Sequence, residues 1–364
     1  MKSFNHLFEK LISHDNIELA IHNASKGKHK RKDVQNILNN IEYHIEKIQN
    51  ILINNKFKVQ KHITKVIKDG SSHKEREIVQ PNFVYEQIIH HAVMNILIPI
   101  LKKGMYEYTC GSIPGRGNLY EKKYIEKIIR EDKKNTKWFL KLDIKKFFPN
   151  INRTILKNML YKIIHDNRFY KVLETIIDSH LTGLPIGFYT SQWLANFYLQ
   201  PLDHFIKETL RIPYYVRYMD DMVLFASTKE ELIKAYHSIC EFCESISLKI
   251  KSVYQLSLFA DCKKQKHTHP ISFMGYRFYR QYTLLRKNIL FKISRKIIKV
   301  LKKGFYTFYD ALQLTSGYGW FKYTDTHKKF KELFIDNHIY LNQLRYKISI
   351  HQRIINENNL AVTF

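Results

Sequence analysis

The stretch Ile212 to Ser227, IPYYVRYMDDMVLFAS, sets two acidic residues side by side between two apolar, β-rich arms. Tyr214 to Tyr218 and Met222 to Ala226 read as antiparallel strands, with Asp220-Asp221 as the connection at the tip of their hairpin. It is the only Asp-Asp pair in the chain. Adjacent carboxylates repel unless something neutralises them, and two divalent cations held together with a third carboxylate would do so. A plain solvated turn is the competing reading. A third carboxylate is available upstream, where the apolar run Trp138 to Leu142 of TKWFLKLDIKKFFPNIN ends on Asp143.

Charge narrows the partners. Lys and Arg number 60 against 33 Asp and Glu, a formal net charge of +27, so the chain attracts polyanions. Part of that excess accompanies a composition heavy in Lys, Ile and Asn, as AT-rich genomes give. The 14% aromatic content suits base stacking as well as cores, and 45% hydrophobic residues can fill two or three subdomains. The four cysteines are too few for a disulfide scaffold. Cys240 and Cys243, at i and i+3 of a helix-like segment, read as core residues ahead of a zinc site, because no second pair has ligand spacing. The start lacks a signal-peptide core and no run reaches about 18 apolar residues, so the expectation is a cytoplasmic protein with no membrane partner.

The first 60 residues read as helices, with Val34, Ile37, Leu38, Ile41, Ile45, Ile48 and Leu52 at helical spacing. Before them lies the basic run KGKHKRK, a phosphate-binding candidate or a plain exposed loop. His62 to Pro81 reads as a β-hairpin turning at Asp69-Gly70-Ser71-Ser72, and FVYEQIIHHAVMNILIPILKKG as a helix ending at Gly104. From Phe291 on, basic amphipathic helices are expected to form a separate bundle.

RYMDD at Arg217 to Asp221 resembles the tyrosine-x-aspartate-aspartate signature of reverse transcriptases, and LDIKKFFPNI at Leu142 to Ile151 resembles their first palm motif. GLPIGFYTSQWLANFYLQPLD (Gly183 to Asp203) is similar to the motif beneath template and incoming nucleotide. KEREIVQP and GSIPGRG resemble fingers motifs, and SFMGYRFY (Ser272 to Tyr279) the hairpin that grips the primer end. All stand in the family's order across roughly residues 65 to 280.

The resemblance implies an α/β (α+β) right-hand polymerase: an antiparallel palm sheet, helical fingers and a helical thumb. The expected division is a helical extension over 1–60, fingers over 61–135, palm over 136–285 with a helical insertion at 152–182, and thumb over 286–364. Asp143, Asp220 and Asp221 would be catalytic and hold two Mg²⁺ ions, or Mn²⁺, with the Ile144 carbonyl. Lys74 and Arg76 would cover the triphosphate, Phe148 would exclude a 2′-hydroxyl, and Ile186, Gly187 and Gln192 would lie by the incoming nucleotide. Arg116, Tyr218, Met219 and Gly275 would meet template and primer.

Two departures stand out. Ile186-Gly187 and Ser191-Gln192 replace the Gln-Gly and Ser-Pro of retroviral and intron-encoded relatives and resemble diversity-generating retroelements and neighbouring bacterial groups, several of which act in phage defence. Val253 falls where many relatives carry a lysine, leaving Lys249 and Lys251 as substitutes. The implied partners are an RNA template, as a structured non-coding RNA, the DNA product and deoxynucleoside triphosphates, with an accessory protein or second polymerase in some such systems. No RNase H or endonuclease domain is expected. Untemplated or protein-primed DNA synthesis and an inactive nucleic-acid-binding scaffold remain alternatives.

Overall fold

The computed structural model describes residues 4–68, 75–263 and 265–360. It divides into two compact units, one of Met1–Lys122 with Leu140–Leu256, the other of Lys123–Phe139 with Ser257–Phe364. The strands are β1 (Ile63–Lys68), β2 (Glu75–Gln80), β3 (Thr109–Cys110), β4 (Trp138–Asp143), β5 (Tyr214–Tyr218), β6 (Asp221–Ala226), β7 (Gln255–Leu258), β8 (Ile271–Phe273), β9 (Tyr276–Phe278) and β10 (Thr283–Leu285). They form three sheets: β1-β2, the five-stranded order β3-β5-β6-β4-β7, and β10-β9-β8. The fold is mixed α/β with mainly antiparallel pairing; β3 and β5 run parallel.

In the first unit the N-terminal segment folds as helices Leu7–Leu11, His14–Ser25, Lys32–Asn39 and Ile41–Ile53. Val34, Ile37, Ile45, Ile48 and Leu52 are buried, as their spacing predicts. The basic run before them is partly engaged. Lys28 Nζ donates to the Ala24 carbonyl at 2.9 Å, Arg31 pairs with Asp33, and both cations lie over the Phe83 ring.

The β1-β2 hairpin forms with Ile63 opposite Gln80 and Lys68 opposite Glu75; its turn lies outside the described residues. The segment Phe83–Gly104 corrects one expectation. Its 22 residues are long and apolar enough to cross a membrane by length and composition. In this unit Ile88, Ile89, Ala92, Val93, Met94 and Leu97 are buried, and the helix packs against His14–Ser25. It also begins with a kink rather than a regular turn, because Val84 and Tyr85 leave helical φ/ψ. Cys243 is buried on helix Lys229–Ser245, while Cys240 is half-buried.

In the second unit Phe273 pairs with Tyr276, so Met274 (φ 47°) and Gly275 (φ 89°) make a two-residue turn with both central φ values positive, the hairpin geometry that favours glycine. A Cβ on Gly275 would come within 2.8 Å of Ile289 and Trp320 side chains. Helices Lys287–Lys303, Phe308–Lys322 and Leu341–Leu360 follow.

Asp310 ties two of these helices together. It completes a capping box with Thr307 and forms ion pairs with Lys296 and Lys303, which hold its buried carboxyl well below the usual carboxylate range. A depressed carboxylate contributes stability above its unfolded pKa and loses it as pH falls through the folded one. Asp310→Asn is therefore expected to lower the midpoint of thermal unfolding at pH 7 by the equivalent of about 1–2 kcal/mol. The gap to wild type should close as pH falls below 4, a trend that scanning calorimetry across pH checks.

Candidate active site

The β5-β6 register pairs Tyr218 with Asp221, so the turn between the strands is Met219-Asp220 alone. Asp221 is the first residue of β6 and not part of the tip, a correction to the hairpin expected from sequence. Met219 takes a left-handed φ of 55°, unusual for a long side chain. It is secured from three sides. Its N–H donates to the Cys110 carbonyl at 3.2 Å, its Sδ accepts from Asn196 Nδ2 at 3.4 Å, and its carbonyl accepts from Arg217 Nη1 at 3.0 Å. Gly111 packs so closely that a Cβ there would sit 2.9 Å from Met219 Cγ.

Asp143 ends β4 beside this turn. The Ile144 N–H donates to the Asp220 carbonyl at 3.2 Å, and the Lys251 N–H donates to the Asp143 carbonyl at 2.8 Å. The first bond ties the end of β4 to the Asp220 turn, and the second ties Asp143 to the segment carrying Lys249 and Lys251. Burial, and then the Asp143 charge, push the Asp220 carboxyl up to about 6. Asp143 Oδ2 is ion-paired with Lys251 Nζ, while its Oδ1 is buried without a hydrogen-bond partner. Lys141 Nζ lies 3.8 Å from Asp221 Oδ1. Val253, placed by sequence at the lysine position, is 85% exposed, and Lys251 is the lysine in the site.

The oxygen set suits a hard divalent cation. Crowded carboxylates, one with an orphaned buried oxygen and both close to lysine ammonium groups, are the donor chemistry of Mg²⁺ or Mn²⁺ sites. Among the described residues no three His, Cys, Asp or Glu side chains converge into a ready metal cage. Asp221 faces Lys141.

Beneath the turn lies a network that sequence reasoning missed. Arg217, fully buried on β5, donates to Asp203 Oδ1 at 2.7 Å through Nε and to Oδ2 at 2.6 Å through Nη2. Tyr215 Oη and Thr109 Oγ1 donate to the same carboxylate at 2.9 Å, and Asn196 Oδ1 accepts from Arg217 Nη1 at 3.1 Å. The network joins β3, β5, helix Tyr189–Tyr198 and the Met219-Asp220 turn. Its sequence signal was an arginine inside an apolar strand and an aspartate ending LQPLD. Nearby, burial pushes the Glu121 carboxyl well up, and neither of its oxygens has a hydrogen-bond partner.

The remaining expected residues are dispersed. Arg76 lies exposed on β2 opposite Ile67, and Lys74 lies outside the described residues. Phe147 fills the core while Phe148 stays half-buried, with its ring 5.5 Å from that of Phe147. The Ile186 carbonyl accepts from the Val79 N–H at 2.8 Å, which docks β2 on this segment. Gly187 (φ 120°) allows that approach, since a Cβ would stand 2.3 Å from the Val79 carbonyl oxygen. Gly187→Ala is expected to unseat β2 and lower the midpoint of thermal unfolding, which a melt beside the wild type checks. Gln192 Oε1 accepts from Ser112 Oγ at 2.9 Å, and Arg116 Nη1 donates to the Tyr106 carbonyl at 2.9 Å. Tyr218 is half-buried at the strand end. Gly275 belongs to the second unit's hairpin.

Residues 66–278 match the sequence profile described as "Reverse transcriptase (RNA-dependent DNA polymerase)". The chain belongs to the reverse transcriptase family. Within that family it is similar to the retron Ec73 reverse transcriptase of Escherichia coli, 29% identical over 115 residues, which cover 28% of this chain and 36% of that relative. The match thus spans little more than a third of the relative's length. Among solved structures, telomerase from Candida albicans in complex with a TWJ fragment of telomeric RNA is 13% identical with a TM-score of 0.48, covering 74% of this chain and 54% of that one. Apo telomerase from Candida tropicalis, truncated from its C-terminal domain, is 14% identical with a TM-score of 0.45, covering 65% and 58%.

Proposed function

We propose that this reverse transcriptase family member copies RNA into DNA by two-metal nucleotidyl transfer. The observation that carries the reading is the Ile144 N–H bonded to the Asp220 carbonyl, which sets Asp143, with its orphaned carboxylate oxygen, beside that turn. Asp143 and Asp220 are the principal metal ligands, joined by Asp221 and the Ile144 carbonyl. Bound there, Mg²⁺ or Mn²⁺ would acidify the primer 3′-hydroxyl and neutralise the triphosphate. The protein's own part is positioning. The Arg217 network fixes the turn, Arg76 with Lys74 covers the triphosphate, and Lys251, ion-paired with Asp143, is the lysine that would hand a proton to the departing pyrophosphate. Phe148 excludes a 2′-hydroxyl, so Phe148→Ala should admit ribonucleotides, read by primer extension with each nucleotide class in turn.

In this reading residues 1–60 extend the fingers at 61–135, 136–285 form the palm and 286–364 the thumb. Arg116, Tyr218, Met219 and Gly275 meet template and primer, and Ile186, Gly187 and Gln192 lie beneath the nascent pair. The template is a dedicated structured RNA in the cytoplasm, used in antiphage defence or a diversity-generating retroelement. The Ile186 and Gln192 substitutions support that subtype. Sequencing the nucleic acid that co-purifies with the chain tests it: one recurrent RNA with complementary DNA is expected, and bulk cellular RNA alone would refute the dedicated template.

A further inference from the structure

Tyr85 has φ 71° and ψ −48°, a strained positive-φ turn for an aromatic residue, where the chain enters the long apolar helix. Beside it opens a cavity of about 220 Å³. Its lining includes Ile51, Phe57, Val84 and Tyr85, together with Lys56 and Lys58. Both lysines are exposed, with no ion pair to a described residue. Lys47 adds a third ammonium, 5.4 Å from the centre of the Tyr85 ring. The acid in the lining, Glu86, is buried and already paired with His62. Gln60 Oε1 accepts from Asn82 Nδ2 at 2.6 Å, which leaves the Gln60 amide N–H groups for a ligand.

These features select a ligand. The volume falls below the roughly 300–1,000 Å³ of pockets that enclose whole cofactors, so it suits one flat ring. An aromatic lining together with unpaired lysines is the combination that takes an unstacked base and its flanking phosphates. None of the lining residues is one assigned above to metal, nucleotide or primer, although Val84 to Glu86 follow the KEREIVQP segment closely.

We propose that this cavity is an anchoring site for single-stranded RNA, with one base held beside Phe57 and Tyr85 and its phosphates on Lys56 and Lys58. The proposal rests on RNA being the chain's partner. It adds a second point of RNA attachment outside the catalytic site.

The test uses the full chain and a thiouridine-substituted oligouridylate, without nucleotides, so that binding is read apart from catalysis. Photo-cross-links should map to Phe57 or Tyr85. Tyr85→Gly removes the ring and relieves the left-handed strain, so it should melt no lower than wild type yet bind the RNA about ten-fold more weakly. Lys56→Ala with Lys58→Ala should reduce the slope of log affinity against log salt by about 0.7 per lysine. Extension of a short pre-annealed primer-template should be unchanged in both variants. Unchanged RNA affinity and salt slope, cross-links that map only elsewhere, or a protein captured at this face with RNA binding unaltered would overturn the proposal. Absence of any extension activity in wild type would instead sink the polymerase reading and leave this one standing or falling on its binding data.

Discussion

Asp220→Asn combined with Asp221→Asn is expected to abolish nucleotide addition while leaving the chain folded, with a loss of more than about 10²-fold, beyond that seen for outer-shell partners of a metal. Stability should move the other way. Burial and the Asp143 charge raise the folded pKa of Asp220 from 3.8 to about 6, so at pH 7 the ionised carboxylate destabilises the fold. A neutral amide removes that penalty, worth up to about 3 kcal/mol from a shift of that size. The sign fixes the pH window. A raised carboxyl is without penalty below its unfolded pKa and fully penalised above its folded one. The stability advantage of Asp220→Asn alone should therefore grow from about pH 4 and level off above pH 6. Thermal melts across that range, beside primer-extension rates, check both halves. A variant both less active and less stable would mean that Asp220 is structural.

Arg217→Met should produce the largest loss of stability of any single change in the first unit. It leaves Asp203 fully buried without its guanidinium, and breaking a buried pair by removing one partner costs about 3–5 kcal/mol. For a domain of this size that corresponds to a fall in the melting midpoint on the order of 10 °C. Pairing it with Asp203→Leu removes the stranded charge as well, and the double variant should recover part of the loss. Activity should not recover with it. Arg217 Nη1 also holds the Met219 carbonyl, so the double variant restores packing without restoring the turn that presents Asp220. Recovery of kcat along with the midpoint would show that the network matters only for folding.

Local chemistry made the outline of the site readable in the sequence. Apolar runs ending on Asp143 and flanking Asp220 predicted β4, β5 and β6, and the glycines at 187 and 275 stand where positive φ and close packing demand them. Properties that depend on segments far apart in the chain were not readable. Nothing in RYMDD says that Asp203 lies against Arg217, or that the Cys110 carbonyl and Asn196 brace Met219 in a left-handed turn. Sequence left Lys249 and Lys251 both open as substitutes for a related reason. Ile144 bridges Ile250, which brings Lys251 to Asp143, while Val253 lies between that bridge and β7 and is exposed. The strain at Tyr85 left no sequence trace, because the surrounding residues read as an uninterrupted helix.

The central claim is that Asp143, Asp220 and Asp221 join deoxynucleotides on an RNA template. The most direct measurement is extension of a labelled DNA primer annealed to a defined RNA, by the wild-type chain, with and without Mg²⁺. The account predicts a product complementary to the RNA, made from deoxynucleotides, dependent on the added metal and absent with Asp143→Asn. Product formed without the RNA, or formed equally well by Asp143→Asn, would contradict it.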